Sequence, residues 1–541
     1  MRQHLWNFRG TVLATFLCAL AAFALPVAAM AQALPIQQVI QQFIAEARNE
    51  AVSNRLKEID AHYALNAYTP IWISNGEVSD KALQVIDALN LAYEDGLDPA
   101  DYHALDLLEE SAAETPEEMA QFEIDLTASV VAFAQHLNAG RVNPRAINRE
   151  QVRFPVAVAP DAVLTSLRKT AQPKVYLRLL APHTPRYERL RQALAGFRAI
   201  SANGGYSTVP EGPAIKPGAT DPRVPAIRKR MMEAGSLKET DLAEGDVYDA
   251  ALANAVIAFQ ETMGLEALGT IGKQTLTAMN TPVERRIFEI ELNLERNRWL
   301  QNEFAPYHIF ANLADQVVKV VRDDKTLHAE VIQVGQPYHR TPEFTDEMEY
   351  IEFNPYWGVP SSIAVNEYLP KLRKNPGVLA AQNIAVFSGG KKVSAGAINW
   401  SAYGKGNFPF SLRQEPGKDN ALGRVKFMFP NDFNVYMHDT PSKSKFDAAS
   451  RYFSHGCLRL KDPLKMAEVL LEQEGWDRKR IDAVVAGGKN TVVKLTNKIP
   501  VYIVYLTAFA NKDGTVQFRE DVYGRDKILA DALAEAMGRS S

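Results

Sequence analysis

The sequence predicts a multidomain α+β chain: a helical N-terminal scaffold, a small three-helix module, and a β-rich C-terminal domain that holds a long insertion. Three observations carry this expectation. Apolar residues recur at spacings of three and four through the first third of the chain. A stretch rich in Gly, Pro, Ser and Thr, residues 201–222, separates that region from a second, short helical unit. From residue 307 the texture changes to short alternating runs of β-branched and aromatic residues.

Ahead of the helices, residues 1–31 read as an export signal. Arg2 and Arg9 supply a positive start, residues 11–23 are apolar, and Ala29-Met30-Ala31 is an A-x-A cleavage site. The apolar run is short for a bilayer span, which takes roughly 20 residues. Phe16-Leu17 precede Cys18 where a lipidation site would need small residues. The formal charge is −4, and loss of the two arginines with the signal leaves −6. No strongly basic face is implied, which argues against nucleic acid as a partner, and no later segment resembles a stable membrane span. Some 510 residues remain, enough for roughly three domains.

Within the scaffold, residues 32–200, one helix is expected over 36–63, with Val39, Ile40, Phe43 and Ile44 on one face. A second covers 79–93, with Leu83, Ile86 and Leu89 inward and Gly96 as terminator. A third covers 117–137. Nothing here gathers catalytic residue types, so the region is expected to support or dock. After the 201–222 linker, Ile227 and Met231 suit one helix; Val256, Phe259 and Gln260 suit another over 250–263. Gly269-Thr270-Ile271-Gly272 then turns the chain into a last helix, 273–279. Through Ala255-Val256-Ile257-Ala258-Phe259-Gln260, Gly264-Leu265, Gly269-x-Ile271-Gly272 and Thr275-Leu276, residues 223–282 resemble a peptidoglycan-binding three-helix module. Leu268-Gly269 stands where such modules usually have Asp-Gly, a departure that bears on glycan affinity more than on fold.

The β-rich domain is expected over 303–510, followed by a C-terminal extension, 511–541. Residues 308–313 and 317–321 are short strands joined by a turn, and another pair lies at 329–334 and 350–353. Residues 434–438 read as a strand ending at a polar loop. Asp462-Pro463 caps and opens a helix reaching about residue 474, with Gly475 past its end. Residues 491–495 and 501–505 are two further strands. The insertion, about 361–429, contains Gly389-Gly390, Gly404-Lys405-Gly406 and Gly417. Tyr356 and Trp357 stand just before it, as candidate cleft or core residues.

Cys457 carries the chemical signal. Only two cysteines occur, and Cys18 lies in the export signal, so export would leave Cys457 alone in Ser454-His455-Gly456-Cys457-Leu458-Arg459. Oxidising compartments favour paired cysteines or none. A solitary thiol among Ser, His and Gly therefore points to chemistry. A free thiol is only a few per cent thiolate at neutral pH, with a pKa of about 8.5, and needs a neighbouring base. His455 and His438 are the candidates. If His455-Gly456-Cys457 is extended, His455 and Cys457 share a face. Adjacent side chains on a turn seldom reach proton-transfer geometry, which favours the remote His438, followed by Asp439. Gly456 permits a sharp turn that would let the amides of residues 455–457 converge on a developing oxyanion. Arg459 is placed to hold a substrate carboxylate or brace the loop. A metal site of His438, His455 and Cys457 lacks a fourth ligand.

His438, fifteen intervening residues and then Ser454-His455-Gly456-Cys457 resemble the signature of the L,D-transpeptidase (YkuD-like) catalytic domain. Thr341-Pro342-x-Phe344, Phe353-Asn354-Pro355-Tyr356-Trp357-x-Val359-Pro360 and Asn420-Ala421-Leu422-Gly423 add to the resemblance. The order of segments, with Tyr68-Thr69-Pro70-Ile71-Trp72 and His136-Leu137-x-x-Gly140-Arg141, resembles the large periplasmic branch of that family. The resemblance implies a periplasmic, wall-associated cysteine acyltransferase with no cofactor. Cys457 would be acylated by a tetrapeptide stem with loss of D-alanine, and a diaminopimelate amine would resolve the thioester to a 3→3 cross-link. By the same resemblance His438 is the base, Asp439 its neighbour, and the Ser454, His455 and Gly456 block part of the catalytic loop. Arg459, Tyr356 and Trp357 would face substrate, the insertion would be a lid, and carbapenems would acylate Cys457. Resolution by water, exchange with an outer-membrane protein's lysine, and a non-catalytic wall-binding role are the alternatives.

Overall fold

The computed structural model describes residues 34–50, 54–153, 155–241, 244–300 and 304–538, and the export signal with Cys18 lies outside them. Contacts divide the chain into two compact units. One comprises residues up to 149, 153–303 and 507 onward; the other comprises 150–152 and 304–506. No helix among the described residues is long and apolar enough to cross a membrane.

The first unit is helical. Its central helix, Pro116–Ala139, starts on a capping box in which Thr115 and Glu118 satisfy each other's backbone amides, with Pro116 at the first turn. It buries Phe122, Leu126, Val130, Val131, Phe133 and Leu137 against the surrounding helices. Glu123, on the same helix, is fully buried. Its carboxylate accepts hydrogen bonds from the amides of Ile71 and Trp72 and from the Tyr63 hydroxyl. Trp72 also donates to Thr127. The Tyr68–Trp72 segment seen in the sequence is thus a turn pinned to one buried carboxylate. Within the expected 36–63 span, Ile36–Glu50 and Asn54–Leu65 are helical, and residues 51–53 lie outside the described residues. In the helix Asp80–Asn90, Ile86 and Leu89 are buried as expected, but Leu83 is 42% exposed.

The three-helix module packs Val224–Glu233, Ala250–Thr262 and Lys273–Met279 around Ile227, Met231, Val256 and Phe259. Gln260 explains why its motif is polar at a core position. Its amide donates to the Thr270 carbonyl and Thr275 hydroxyl and accepts from the Gly269 amide, holding the turn into the last helix. The expected linker contributes to this core: Val209 and Ile215 are buried in it, and Ile215 bridges Ile271. The residues after 506 return to the helical unit. A hairpin, Ala508–Ala510 with Val516–Phe518, precedes the helix Arg525–Ala536, whose Leu529 and Leu533 pack on Leu292 and Trp299. Thr507 exchanges two hydrogen bonds with Asn293, and Asp526 pairs with Arg296 at 2.5 Å. The β-rich unit therefore ends at 506, and residues 507–510 belong with the helical one.

In the second unit we number the strands β1 (Tyr307–Asn312), β2 (Val317–Arg322), β3 (Lys325–Gly335), β4 (Phe344–Phe353), β5 (Trp357–Gly358), β6 (Ile384–Ser388), β7 (Lys391–Val393), β8 (Phe410–Gln414), β9 (Val425–Met428), β10 (Met437–His438), β11 (Tyr452–Ser454), β12 (Leu458–Leu460) and β13 (Thr491–Val504). Nine of them form one sheet in the order β11-β3-β12-β10-β9-β4-β13-β1-β2, and β2 also pairs with β3, so the sheet closes on itself. The two strands expected at 491–495 and 501–505 are a single one. β13 keeps pairing with β4 across a register shift between Lys494 and Ile499, and beyond it runs parallel to β1. A bulge absorbs the polar interruption without ending the strand. The helix opened by Asp462 runs Pro463–Leu471, and the Asp462 side chain accepts from the Lys465 amide. The insertion forms its own small sheet, β5-β8-β6-β7, over a core of Leu369, Leu372, Ile384, Val386, Trp400 and Leu412. It ends before β9, which belongs to the main sheet, so its boundary falls short of residue 429.

Candidate active site

Three neighbouring strands bring the candidate residues together. β10 pairs antiparallel with β9, placing Lys426 opposite His438, and parallel with β12, placing His438 opposite Arg459. Direct partners lie on the same face of a sheet, as do residues two apart along a strand. Lys426, Tyr436, His438, Cys457 and Arg459 therefore share one surface. The Tyr436 and His438 rings are 5.6 Å apart, and Lys426 Nζ sits 4.2 Å from the Tyr436 ring centroid. Tyr436 is also among the groups that favour the thiolate form of Cys457. Neither Tyr436 nor Lys426 was singled out from the sequence. Tyr436 was findable, because it precedes His438 by two in a strand; Lys426 comes from a different strand and carries no local signal.

The loop holding Cys457 is bent, not extended. Gly456 has φ +116°, a conformation that L side chains avoid. The Ser454 hydroxyl, fully buried, accepts from the Gly456 amide at 3.1 Å and donates to the Cys457 carbonyl at 2.6 Å. The Gly456 amide is therefore committed within the loop, and the expected convergence of all three amides on an oxyanion does not form. The Thr341 hydroxyl holds the outer side of the loop, donating to the Gly456 carbonyl at 2.8 Å while accepting from the Gly335 amide. His455 does not share a face with Cys457. Its Nε2 lies 2.8 Å from Glu367 of the insertion, and its ring packs 4.7 Å from that of His339.

His438 is buried, and its Nδ1 donates to the Asp439 carbonyl at 2.5 Å, which leaves Nε2 as the proton acceptor. Burial, and after it the Arg459 guanidinium, lowers its pKa to about 3. The imidazole is thus neutral across the physiological range. Asp439 meets the imidazole through its backbone only. Its carboxylate accepts from the Arg424 and Thr440 amides and pairs with Lys443 at 2.7 Å. Burial pushes that carboxyl up, but Lys443 and the amides hold it below the usual range. Gly423 is required beside it: φ is +61°, and a Cβ there would stand 2.4 Å from the carboxylate. The Cys457 thiol, half-buried, points its Sγ at the Asn434 carbonyl 3.7 Å away. Burial raises its pKa, while Tyr436, Lys426 and Arg459 pull it down.

The remaining motifs serve the frame. Asn420 ties the Asn354–Trp357 segment to the end of the insertion, donating to the carbonyls of Pro355 and Glu415. Trp357 is half-buried against the core of the insertion, whereas Tyr356 is 39% exposed, with the Arg413 guanidinium 4.6 Å over its ring. Among the described residues no group of three or more His, Cys, Asp or Glu side chains is arranged to hold a metal ion.

Comparisons with known proteins fit this layout. Residues 57–194 match a family model described as "Scaffold domain", residues 220–279 one described as "Putative peptidoglycan binding domain", and residues 306–501 the "L,D-transpeptidase catalytic domain". A curated relative from Haemophilus influenzae, named "Putative L,D-transpeptidase", is 32% identical over 223 residues. That alignment covers 41% of this chain and 45% of the relative, so the match spans about half of the relative's length. A solved L,D-transpeptidase segment from Xylanimonas cellulosilytica is 15% identical, covers 54% of this chain and 98% of its own, and superposes with a TM-score of 0.18. Over residues 306–501 the chain is therefore similar to L,D-transpeptidase (YkuD) catalytic domains, and it is similar to scaffold and peptidoglycan-binding domains over 57–194 and 220–279.

Proposed function

We propose that this protein is a cell-wall L,D-transpeptidase that forms 3→3 cross-links in peptidoglycan through a thioester on Cys457. The observation that carries the reading is the constellation on and beside β9, β10 and β12: the Cys457 thiol shares a face with Tyr436 and with a neutral His438 whose Nε2 is left to accept a proton. His438 Nε2 takes the thiol proton as sulfur attacks the carbonyl between the L-centre of diaminopimelate and the terminal D-alanine of a tetrapeptide stem. The C–N bond breaks, the proton passes to the leaving amine, and D-alanine departs. The side-chain amine of a second stem then attacks the thioester, loses its proton to His438, and the thiol is restored. The Tyr436 hydroxyl, with the amides of His455 and Cys457, is the donor set proposed for the oxyanion, since Ser454 occupies the Gly456 amide.

Arg459 braces this surface and faces the donor's carboxylate, Tyr356 and Trp357 belong to the mouth under the insertion, and the insertion acts as a lid. Residues 223–282 hold the enzyme to the wall, export places it in the periplasm, and carbapenems acylate Cys457. The deciding experiment is mass spectrometry of products from the purified protein and disaccharide-tetrapeptide. Dimers joined 3→3, with D-alanine released and a Cys457→Ala control blank, are expected. Tripeptide monomers alone would replace transpeptidation with hydrolysis, and turnover by the Cys457→Ala protein would remove the thioester from the mechanism.

A further inference from the structure

We propose that Lys426 is the fixed counter-charge of the Cys457 thiolate, its ammonium lying over the Tyr436 ring so that His438 can work as a neutral proton acceptor. The proposal rests on the reading of Cys457 as nucleophile and adds the group that stabilises its charge.

In a thiol–imidazole pair, the imidazolium formed by proton transfer is usually the thiolate's partner. Here that partner is disfavoured. His438 is buried between two strand neighbours that are both cations, with Lys426 opposite it on β9 and Arg459 opposite it on β12. Protonating it would place a third positive charge in the row. The charge that favours a negative sulfur must come from groups already charged.

Lys426 fits that role on independent grounds. It is half-buried, and among the described residues its Nζ makes no ion pair or hydrogen bond; its defined contact is the Tyr436 ring at 4.2 Å. Its strand partner Glu352 is a natural compensating carboxylate, yet Glu352 is bonded to Asn490 at 2.8 Å instead. A half-buried ammonium that no carboxylate bonds directly is a costly placement unless an anion completes it. Burial lowers the Lys426 pKa, and Glu352 and the Cys457 thiolate act against that. The titratable and charged groups on the face of Cys457 are Tyr436, just ahead of β10, His438 on β10, Lys426 on β9, Arg459 on β12 and Glu352 on β4. Arg459 also favours the thiolate, after Lys426, and it acts on His438 more strongly than Lys426 does. When the S–H bond breaks, sulfur keeps the electron pair beside Lys426, and the proton goes to His438 Nε2 or, in the absence of substrate, to water.

The test follows the thiol alone. Alkylation of Cys457 by iodoacetamide is measured against pH on the full chain by mass spectrometry, for the parent, Lys426→Met, Lys426→Gln and Lys426→Arg. Removing the charge should raise the midpoint by about one pH unit, or slow alkylation about tenfold below the midpoint, while Lys426→Arg stays near the parent. Circular dichroism checks folding, and Lys426→Gln, with a hydrophilic chain, answers if the Met variant does not fold. An unchanged midpoint in a folded charge-removal variant overturns the proposal, as does an equal shift in Lys426→Arg, which would mark a packing effect. Because alkylation needs no turnover, the result is separable from the transpeptidase reading, which the Cys457→Ala product assay decides.

Discussion

Replacing Ser454 with alanine probes the catalytic loop at its centre. The Oγ of Ser454 bridges the bend, taking the Gly456 amide and giving its proton to the Cys457 carbonyl. The site is 1% exposed, so water cannot substitute for the lost oxygen. Two polar backbone groups would be left unmet in a buried setting, each worth about 1–3 kcal/mol. Relaxation of the loop offsets part of this, giving an expected loss of about 2–4 kcal/mol. For a unit of this size that is a fall of about 5–12 °C in the unfolding midpoint. The chemistry should suffer in parallel, because a freed Gly456 amide lets the nucleophile drift from Tyr436 and His438. Urea unfolding followed by tryptophan fluorescence gives the stability term, and mass spectrometry of carbapenem adducts gives the rate of acylation at Cys457. A Ser454→Ala protein within about 0.5 kcal/mol of the parent, acylated at the parent rate, would refute the loop architecture described above.

Other consequences can be checked with the same preparations. Gly423→Ala combines a left-handed backbone with a Cβ that would stand 2.4 Å from the Asp439 carboxylate, so urea titration should show a loss of about 2–4 kcal/mol. Glu367→Gln removes a 2.8 Å pair whose partners are 37% and 43% exposed, and should change global stability by at most about 1 kcal/mol. Hydrogen exchange in residues 364–374 should nonetheless quicken, and unchanged exchange there would show that the pair holds nothing in place. His438 is depressed to about 3 in the fold from an ordinary 6.5, so the unfolded chain takes up its proton first. Its contribution is complete above about pH 6.5 and is lost as pH falls towards 3, and His438→Asn should flatten part of that acid slope in a pH series of urea midpoints.

Cys457 and His438 were legible in the sequence as candidates because both sit in a compact motif whose spacing brings them to neighbouring strands. The rest of the site was hidden for identifiable reasons. Tyr436 lies two residues before His438, and strand alternation alone puts it on the same face, but a tyrosine in a strand has the composition of ordinary β structure. Lys426 reaches the site through strand pairing, which no local pattern announces. The oxyanion expectation treated three consecutive amides as free, whereas a serine inside the same motif claims the middle one. In the frame, the polar run after Lys494 looked like a strand end, because a bulge and a break have the same composition. Leu83 fitted the apolar periodicity of its helix but faces solvent, since periodicity marks a stripe and not its edges.

The return of the chain to the helical unit at Thr507 sets a timetable for synthesis. The Val283–Trp299 helix emerges more than two hundred residues before the segment that completes its buried polar contacts. Asn293 must wait for Thr507, and Leu292 and Trp299 for Leu529 and Leu533, while the entire intervening β unit is made. The helical unit is therefore finished last although it begins first, and a nascent chain halted at residue 506 would present an apolar, polar-hungry groove to any chaperone that meets it.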